Sequence, residues 1–330
     1  MDSGNIGFVL LCAAFVFVMT PGLAMFYGGL VRKKNVVNTM MTSIFIIGVG
    51  IVMWVLFGYS LSFAPSGNAF IGDFRWLGLE GVSLTEGYTD DASIPNMVFS
   101  AFQMMFAVIT PALITGAVAG RMKFKSIFVF TIFWSLIVYY PLAHMVWGQG
   151  GLLGADGIGA LDFAGGDVVH ISSGVSALVL CILLGKRHDY EHSIYRIHNI
   201  PTVVLGASLL MFGWFGFNAG SALAADGLAA HAFMTTGVSA AAAMLSWMLC
   251  DVIKNKKPTL IGASTGMVAG LVGITPGAGF VPMWAAVIIG LTTSPVCYIM
   301  ISYGKKKFGF DDALDAFSCH GTGGIWGGLL

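Results

Sequence analysis

The sequence LDFAGGDVVHISSG, residues 161–174, decides the fold that we predict for this chain. It places His170 near the start of an apolar run that continues to Gly185, just before the charged Lys186. A run of this kind is close to the about 20 residues that a helix needs to cross a bilayer. A histidine inside such a helix is costly unless it faces a polar cavity or a partner. We therefore expect a partner for His170.

A matching stretch lies far along the chain: DDALDAFSCHGTGG, residues 311–324. Asp312 precedes His320 by eight residues, as Asp162 precedes His170. The match predicts two halves that each send one histidine to a shared site, as in transporters built from repeats. Such a pair would line a narrow pore for a small polar substrate or a proton. The alternative is two unrelated histidines, each bonded to a local backbone carbonyl.

The composition is that of an integral membrane protein. Of the 330 residues, 57% are hydrophobic and only 10% are charged, against about 25% charged residues in soluble domains. Long continuous apolar runs favour helices over the alternating strands of a barrel. The net charge is zero, and no basic stretch offers a nucleic-acid surface. Five cysteines stand singly, so neither a disulfide framework nor a zinc site is indicated. We expect no cofactor, and no nucleophile and base are arranged for an enzyme.

Apolar runs predict an all-α membrane protein with ten helices in one transmembrane domain, residues 1–330. The helices cover about residues 6–31, 36–63, 96–119, 127–147, 168–185, 201–217, 231–253, 259–274, 281–303 and 312–330. Lys and Arg follow the first, third, fifth, seventh and ninth helices, and basic loops stay cytoplasmic. The N-terminus and the acidic loop at residues 64–95 therefore lie outside. Two halves of five helices each, about residues 1–190 and 198–330, would be inverted relative to each other.

Aromatic residues stand at several places in these helices. Phe102 and Phe106 are four apart and so lie on one helix face, and Trp214 and Phe217 are close together in the sixth helix. Trp147 ends the fourth helix on the outer side, as an interfacial belt would require. Ordinary packing against the core or lipid explains all of them. A box that holds a small cation would use the same residue types.

Polar residues near the helix ends have simple explanations. His188 and His192 have a metal-compatible spacing of four, but a solvated loop is the default, and we predict no metal site. Asp162 and Asp315 are suited to hold loop amides or to cap helices, and we favour a structural role for both. The tenth helix is still apolar at Leu330, so we expect the chain to continue further.

Six stretches carry a family resemblance: PGLAMFYGGLVRKKN (21–35), AFQMMFAVITPALITGAVAGR (101–121), HMVWG (144–148), GALDFAGGDVVHISSG (159–174), GWFGFNAGS (213–221) and DDALDAFSCHGTGG (311–324). In these stretches the chain resembles the ammonium transporter, methylammonium permease and Rhesus family. The resemblance implies eleven helices with an outside N-terminus, in a plasma-membrane homotrimer with one pore per subunit. The eleventh helix and a cytoplasmic tail are absent from this sequence.

The resemblance also implies an outer site for ammonium. Phe106, Trp147 and Ser221 would form it, with two aromatic rings for cation–π contact and a hydroxyl to accept a hydrogen bond. Asp162 would support the site from just behind it. The ligand would be ammonium, which loses a proton before neutral ammonia passes further.

The implied path continues through a gate and a pore. Phe106 and Phe217 would be a stacked gate, and His170 and His320 would be the twin histidines of the pore. Since a bare cation at the bilayer centre costs from about 3 to well over 10 kcal/mol, deprotonation before the apolar constriction is coherent chemistry.

Two positions depart from the family pattern. Asp167 stands where the family usually has Thr, and Gly120 stands where it usually has an acid. A carboxylate near the histidines would bind ammonium rather than merely pass it, so Asp167 is an additional candidate ligand, together with Phe102 and Trp214. The alternative function is therefore an ammonium-sensing membrane domain with little transport. The resemblance leaves room for a cytoplasmic regulator or a C-terminal signalling domain.

Overall fold

The computed structural model describes residues 1–155, 157–188, 190 and 197–330. Apart from short turns, these residues form ten helices and no β-strand, so the predicted all-α membrane fold is confirmed. Nine helices are long and apolar enough to cross a membrane: α1 (Ser3–Leu30), α2 (Lys33–Phe63), α3 (Asn96–Ile114), α4 (Phe124–Trp147), α5 (Gly166–Leu184), α6 (Ile200–Gly220), α7 (Gly227–Asn255), α8 (Leu260–Gly277) and α9 (Met283–Phe308). Helix α10 covers residues 317–329.

The two histidine-bearing helices begin in the same unusual way. Helix α5 opens with the π-helical segment Gly166–Ile171, and α10 opens with Phe317–Gly321. A π-turn is wider than an α-turn. Such turns are rare in proteins, and those that occur are often found at functional sites. His170 and His320 each lie inside one of these turns. The wider turn changes the direction in which each imidazole leaves its helix.

The start of α10 differs from the prediction, which placed it near Asp312. The helix begins after a loop, because Asp315 adopts a left-handed backbone with φ of 62° that a regular helix does not admit. The carboxylate of Asp312 instead accepts hydrogen bonds from the amides of Ala316 and Ser318, at 2.9 and 3.0 Å. The predicted start was therefore wrong by a few residues, and Asp312 caps the helix rather than beginning it.

Helices α5 and α10 cross at glycines. A Cβ atom on Gly174 would lie 2.2 Å from the nitrogen and 2.3 Å from the Cα of Gly321. No side chain fits into such a crossing, and small residues are what allow membrane helices to approach this closely. The crossing brings together the two π-turns, one from the middle of the chain and one from near residue 330.

The long loop between α2 and α3 folds against the end of α4. Tyr88 stacks on Phe99, with ring centroids 4.7 Å apart and an interplanar angle of 6°. Its hydroxyl accepts a hydrogen bond from the amide of Gln149 at 3.1 Å. The loop is therefore packed against the start of α3 and the end of α4.

Candidate functional site

Two phenylalanines from different helices stack on each other in the interior of the molecule. The rings of Phe106, on α3, and Phe217, on α6, stack with centroids 4.1 Å apart and an interplanar angle of 26°. Both side chains are fully buried. Phe102 packs edge-on against Phe106 at 5.0 Å. The sequence-predicted gate residues thus lie in contact, and Phe102 supports them from behind.

A cavity of about 440 Å³ lies on one side of this pair; we call it the outer cavity, after the side that the sequence predicts. Its lining includes Trp147, Asp162 and Ser221. The ring of Trp147 stands perpendicular to that of Phe106 at 5.9 Å. The hydroxyl of Ser221 donates to the carbonyl of Phe217 at 2.9 Å, which leaves its oxygen lone pairs as acceptors. Three of the four predicted outer-site residues therefore share one cavity, and Phe106 contacts it through Trp147.

Several residues of this cavity escaped the sequence argument. Tyr88 and Asp91 belong to the outer loop, and Gln103 belongs to α3. The Oε1 atom of Gln103 is buried and has no hydrogen-bond partner among the described residues. A glutamine inside an otherwise apolar helix was the available signal. The loop residues offered none, because their approach depends on how the loop folds back.

Asp162 holds the start of α5. One carboxylate oxygen accepts the amides of Gly165 and Gly166 at 2.7 and 2.6 Å, and the other accepts those of Asp167 and Val168 at 2.8 and 3.1 Å. Its backbone carbonyl accepts the indole N–H of Trp147 at 3.0 Å. The structural role favoured from the sequence is confirmed. Burial raises the pKa of Asp162 to about 6, and the nearby carboxylate of Asp167 makes a second, smaller contribution in the same direction.

The two acids near His320 have different roles. Asp312 accepts helix-start amides, as Asp162 does, and burial raises its pKa to about 6. Asp315 forms an ion pair with Lys305, so its predicted structural role is also confirmed, although by a salt bridge rather than a cap.

The two histidines lie beyond the phenylalanine pair. Their Nδ1 atoms are 3.3 Å apart, which is a long hydrogen bond, and their rings are nearly parallel with centroids 5.3 Å apart. The ring of His170 stacks on Trp214 at 5.1 Å and lies 6.0 Å from Phe217. Its Nε2 atom is buried, with no partner among the described residues. Both imidazoles line a central cavity of about 10 Å³.

An inner cavity of about 230 Å³ follows on the other side of His320. Tyr27, Asp315 and Cys319 contribute to its lining. Phe26, Val268 and His320 line both the central and the inner cavity. These contacts set three cavities in a row, with the phenylalanine pair between the first two and His320 between the last two.

Asp167 and Gly120, the two residues that depart from the family pattern, lie in different parts of the structure. Asp167 is half-buried and lies outside the described lining of all three cavities. Gly120 has a φ of 75°, and a Cβ atom there would lie 2.8 Å from the side-chain nitrogen Nδ2 of Asn35. A left-handed backbone favours glycine, which accounts for the missing acid. His192 lies outside the described residues, so the possible pair with His188 stays untested.

The fold and these cavities define a multi-pass α-helical membrane protein with a central constriction. The sequence profile of the Ammonium Transporter Family matches residues 7–330, and the chain belongs to this family. It is 53% identical to an ammonium transporter of Bacillus subtilis over 329 residues, which cover all of this chain and 80% of that protein. This identity confirms the family resemblance.

Solved structures show the same fold. The crystal structure of Saccharomyces cerevisiae Mep2 superposes with a TM-score of 0.91 at 39% identity, over 99% of this chain and 72% of that one. A structure described as a sensor Amt protein superposes with a TM-score of 0.89 at 29% identity, over 99% of this chain and 81% of that one.

Proposed function

We propose that this protein carries ammonium across the membrane by binding the cation at the outer site and passing neutral ammonia through the histidine pair. The observation that carries this proposal is the row of three cavities, about 440, 10 and 230 Å³ in volume. A wide outer and a wide inner cavity separated by a very small one is the arrangement of a selective pathway.

The outer site suits a small cation. Trp147 and Phe106 present two aromatic rings at right angles, and each cation–π contact contributes roughly 0.5–2 kcal/mol. Ser221 adds a hydroxyl acceptor. Ammonium, unlike a metal cation of the same charge, has N–H donors for that acceptor. The site therefore distinguishes its ligand by hydrogen bonds as well as by charge.

The central cavity excludes a hydrated ion. A cavity needs at least about 10–15 Å³ to hold one water molecule, so the space of about 10 Å³ beside His170 takes at most one small molecule. An ion stripped of water there costs from about 3 to well over 10 kcal/mol. Loss of a proton removes most of this cost, because ammonia is neutral.

The histidine pair supplies the polar contacts that ammonia needs in this apolar space. The Nε2 atom of His170 is buried and has no partner in the part of the chain that the structure describes, and the residue lines the central cavity together with Phe217. An imidazole both donates and accepts a proton near neutral pH. The pair hydrogen-bonds the passing ammonia and relays the proton that ammonium leaves behind.

We also propose the orientation and the repeat. Basic loops stay cytoplasmic, which sets the N-terminus outside the plasma membrane. Residues of about 1–190 and 198–330 form the two inverted five-helix halves. The π-turns at the two histidines and the matching caps by Asp162 and Asp312 support this division.

The assembly implied by the resemblance is a homotrimer with one pore per subunit. Exposed apolar side chains such as Phe133 and Ile137 on α4 and Leu183 on α5 are suited to lipid or to neighbouring subunits. The mass of the purified protein in detergent, from light scattering, tests the trimer. A cytoplasmic regulator or a C-terminal signalling domain stays a prediction.

The sensor alternative rests on the likeness to one sensor structure at 29% identity and on Asp167. That likeness is weaker than the 53% identity to a transporter, and Asp167 lies outside the described lining of the pathway. We therefore favour transport.

Purified protein in proteoliposomes on a supported membrane decides between the two. We expect steady ammonium-driven currents that potassium does not produce. Tight ammonium binding without any flux, of ammonium or of ammonia, would contradict transport and support sensing.

A further inference from the structure

A short buried turn at the end of α8 touches the start of α5. The turn is Thr275–Gly277, and the carbonyl of Pro276 accepts the amide of Phe163 at 2.9 Å. A Cβ atom on Gly166 would lie 2.5 Å from the ring of Pro276. Since Gly166 begins the π-turn that carries His170, the turn supports the backbone of the histidine directly.

The same turn reaches the imidazole through Trp214. The indole N–H of Trp214 donates to the hydroxyl of Thr275 at 2.9 Å, and that hydroxyl donates to the carbonyl of Leu271 at 2.8 Å. Thr275 and Trp214 are fully buried. The indole ring then stacks on His170 at 5.1 Å with an interplanar angle of 22°. One hydroxyl therefore sets the orientation of the ring against which the histidine rests.

This hydrogen bond also controls which atoms remain available in the central cavity. A buried donor seeks an acceptor, because an unpaired one is costly. The Nε2 atom of His170 is a nearby buried atom without a partner among the described residues. Without the hydroxyl of Thr275, the indole N–H of Trp214 would be unpaired, and it would reach the open nitrogen of His170 only by leaving its stack on that ring.

We propose that Thr275 is a positioning residue for His170: it holds the indole N–H of Trp214 and so keeps Nε2 of His170 open to ammonia. The inference rests on the proposed function for its effect on flux. Its structural part stands separately, since the hydrogen bond of Trp214 and the state of His170 are measurable without transport.

The test compares three single variants. T275V keeps the shape and removes the hydroxyl, and T275S keeps the hydroxyl. T292V is the matched control, because the indole of Trp326 donates to the hydroxyl of Thr292 at 3.0 Å, and that hydroxyl donates to the carbonyl of Ile288 at 2.8 Å, away from the pathway. The measurements are ammonium-driven current, half-saturating ammonium concentration, and ¹⁵N resonances of the Trp214 indole and the His170 imidazole.

We expect T275V to lower the current on the order of tenfold, since small misplacements in a reacting site cost up to about a hundredfold. The half-saturating concentration stays unchanged, because the outer cavity is intact. Both ¹⁵N resonances move in T275V and stay in place in T275S and T292V, which keep the wild-type current. Wild-type current and unmoved resonances in T275V would overturn the proposal, as would an equal loss in T292V.

A second comparison covers the case in which T275V fails to fold. The double variant W214F/T275V leaves no buried donor unpaired, which is the tolerable way to remove a buried pair. If Thr275 acts through Trp214, W214F and W214F/T275V carry equal currents, and a further loss in the double variant overturns the proposal. If the wild type carries no current, the proposed function fails, and the ¹⁵N resonances alone decide whether Thr275 positions His170.

Discussion

The Nδ1 atoms of His170 and His320 lie 3.3 Å apart, although 150 positions separate these residues in the chain. A neutral imidazole has one N–H and one acceptor nitrogen. The contact therefore requires one ring with its proton on Nδ1 and the other with its proton on Nε2. Two residues at matching positions of the sequence then differ in tautomer. Their roles are exchanged only when the proton moves between the Nδ1 atoms, one ring takes up a proton at Nε2 and the other releases its Nε2 proton.

Replacing either histidine tests the pair. We expect H170A and H320A each to lower ammonium-driven current by about a hundredfold or more, the range of acid–base groups in proteins. The measurement is current on supported membranes. H231A is the control, because the Nε2 atom of His231 is hydrogen-bonded to the carbonyl of Val281 at 2.8 Å, and the residue lies outside the described lining of the three cavities. An H170A protein with wild-type current would rule out the histidine pathway.

Alanine substitutions of the two stacked phenylalanines, Phe106 and Phe217, are expected to change different properties of transport. F106A removes a ring of the outer site, so the half-saturating ammonium concentration rises about 2- to 30-fold, the equivalent of one cation–π contact. F217A leaves that concentration unchanged and admits water between the outer and central cavities, so that selectivity against potassium falls. F215A is the control, because Phe215 also stacks on a phenylalanine, Phe233, at 4.2 Å. Equal effects of F106A and F217A on the half-saturating concentration would refute this division.

Asp167 should not matter for binding, because it lies outside the described lining of the pathway. We expect D167T to keep both the current and the half-saturating ammonium concentration of the wild type. The same supported-membrane assay measures both. Tighter binding in the wild type than in D167T would show that the carboxylate acts on the ligand, and would revive the sensor function.

The raised pKa of Asp162 gives a signed pH dependence. Burial and Asp167 raise this pKa from 3.8 to about 6, so the folded protein holds this proton more tightly than the unfolded chain does. The contribution of the group to stability is then full below about pH 3.8 and is lost as the pH rises through about 6. Thermal unfolding of wild type and D162N from pH 4.5 to 7.5 should show a wild-type advantage that shrinks with pH. An advantage that grows with pH would mean that the four amide bonds dominate and lower the pKa.

Orientation is tested by labelling from one side of the membrane. The acidic loop between α2 and α3 contains Ser83, and the basic end of α9 contains Lys306. We expect an impermeant thiol reagent added outside cells to label S83C and not K306C. The native cysteines are replaced in both variants as a background control. Labelling of K306C from outside would reverse the assignment.

The sequence by itself determined the membrane class, the approximate positions of all ten helices and the matched positions of His170 and His320. These properties are local: hydropathy over about 20 residues decides whether a segment enters a bilayer, and Lys and Arg next to each segment decide its direction. The tertiary structure decided what depends on distance. The crossing at Gly174 and Gly321 sets how close the two imidazoles come. Four backbone amides occupy the carboxylate of Asp162, which its residue type alone would assign to ligand binding. The hydrogen bond between Trp214 and Thr275 is not indicated by any pattern in the sequence. Each of these contacts depends on distances between helices that must be right to within a fraction of an ångström, whereas hydropathy and charge patterns locate a helix only to within a turn.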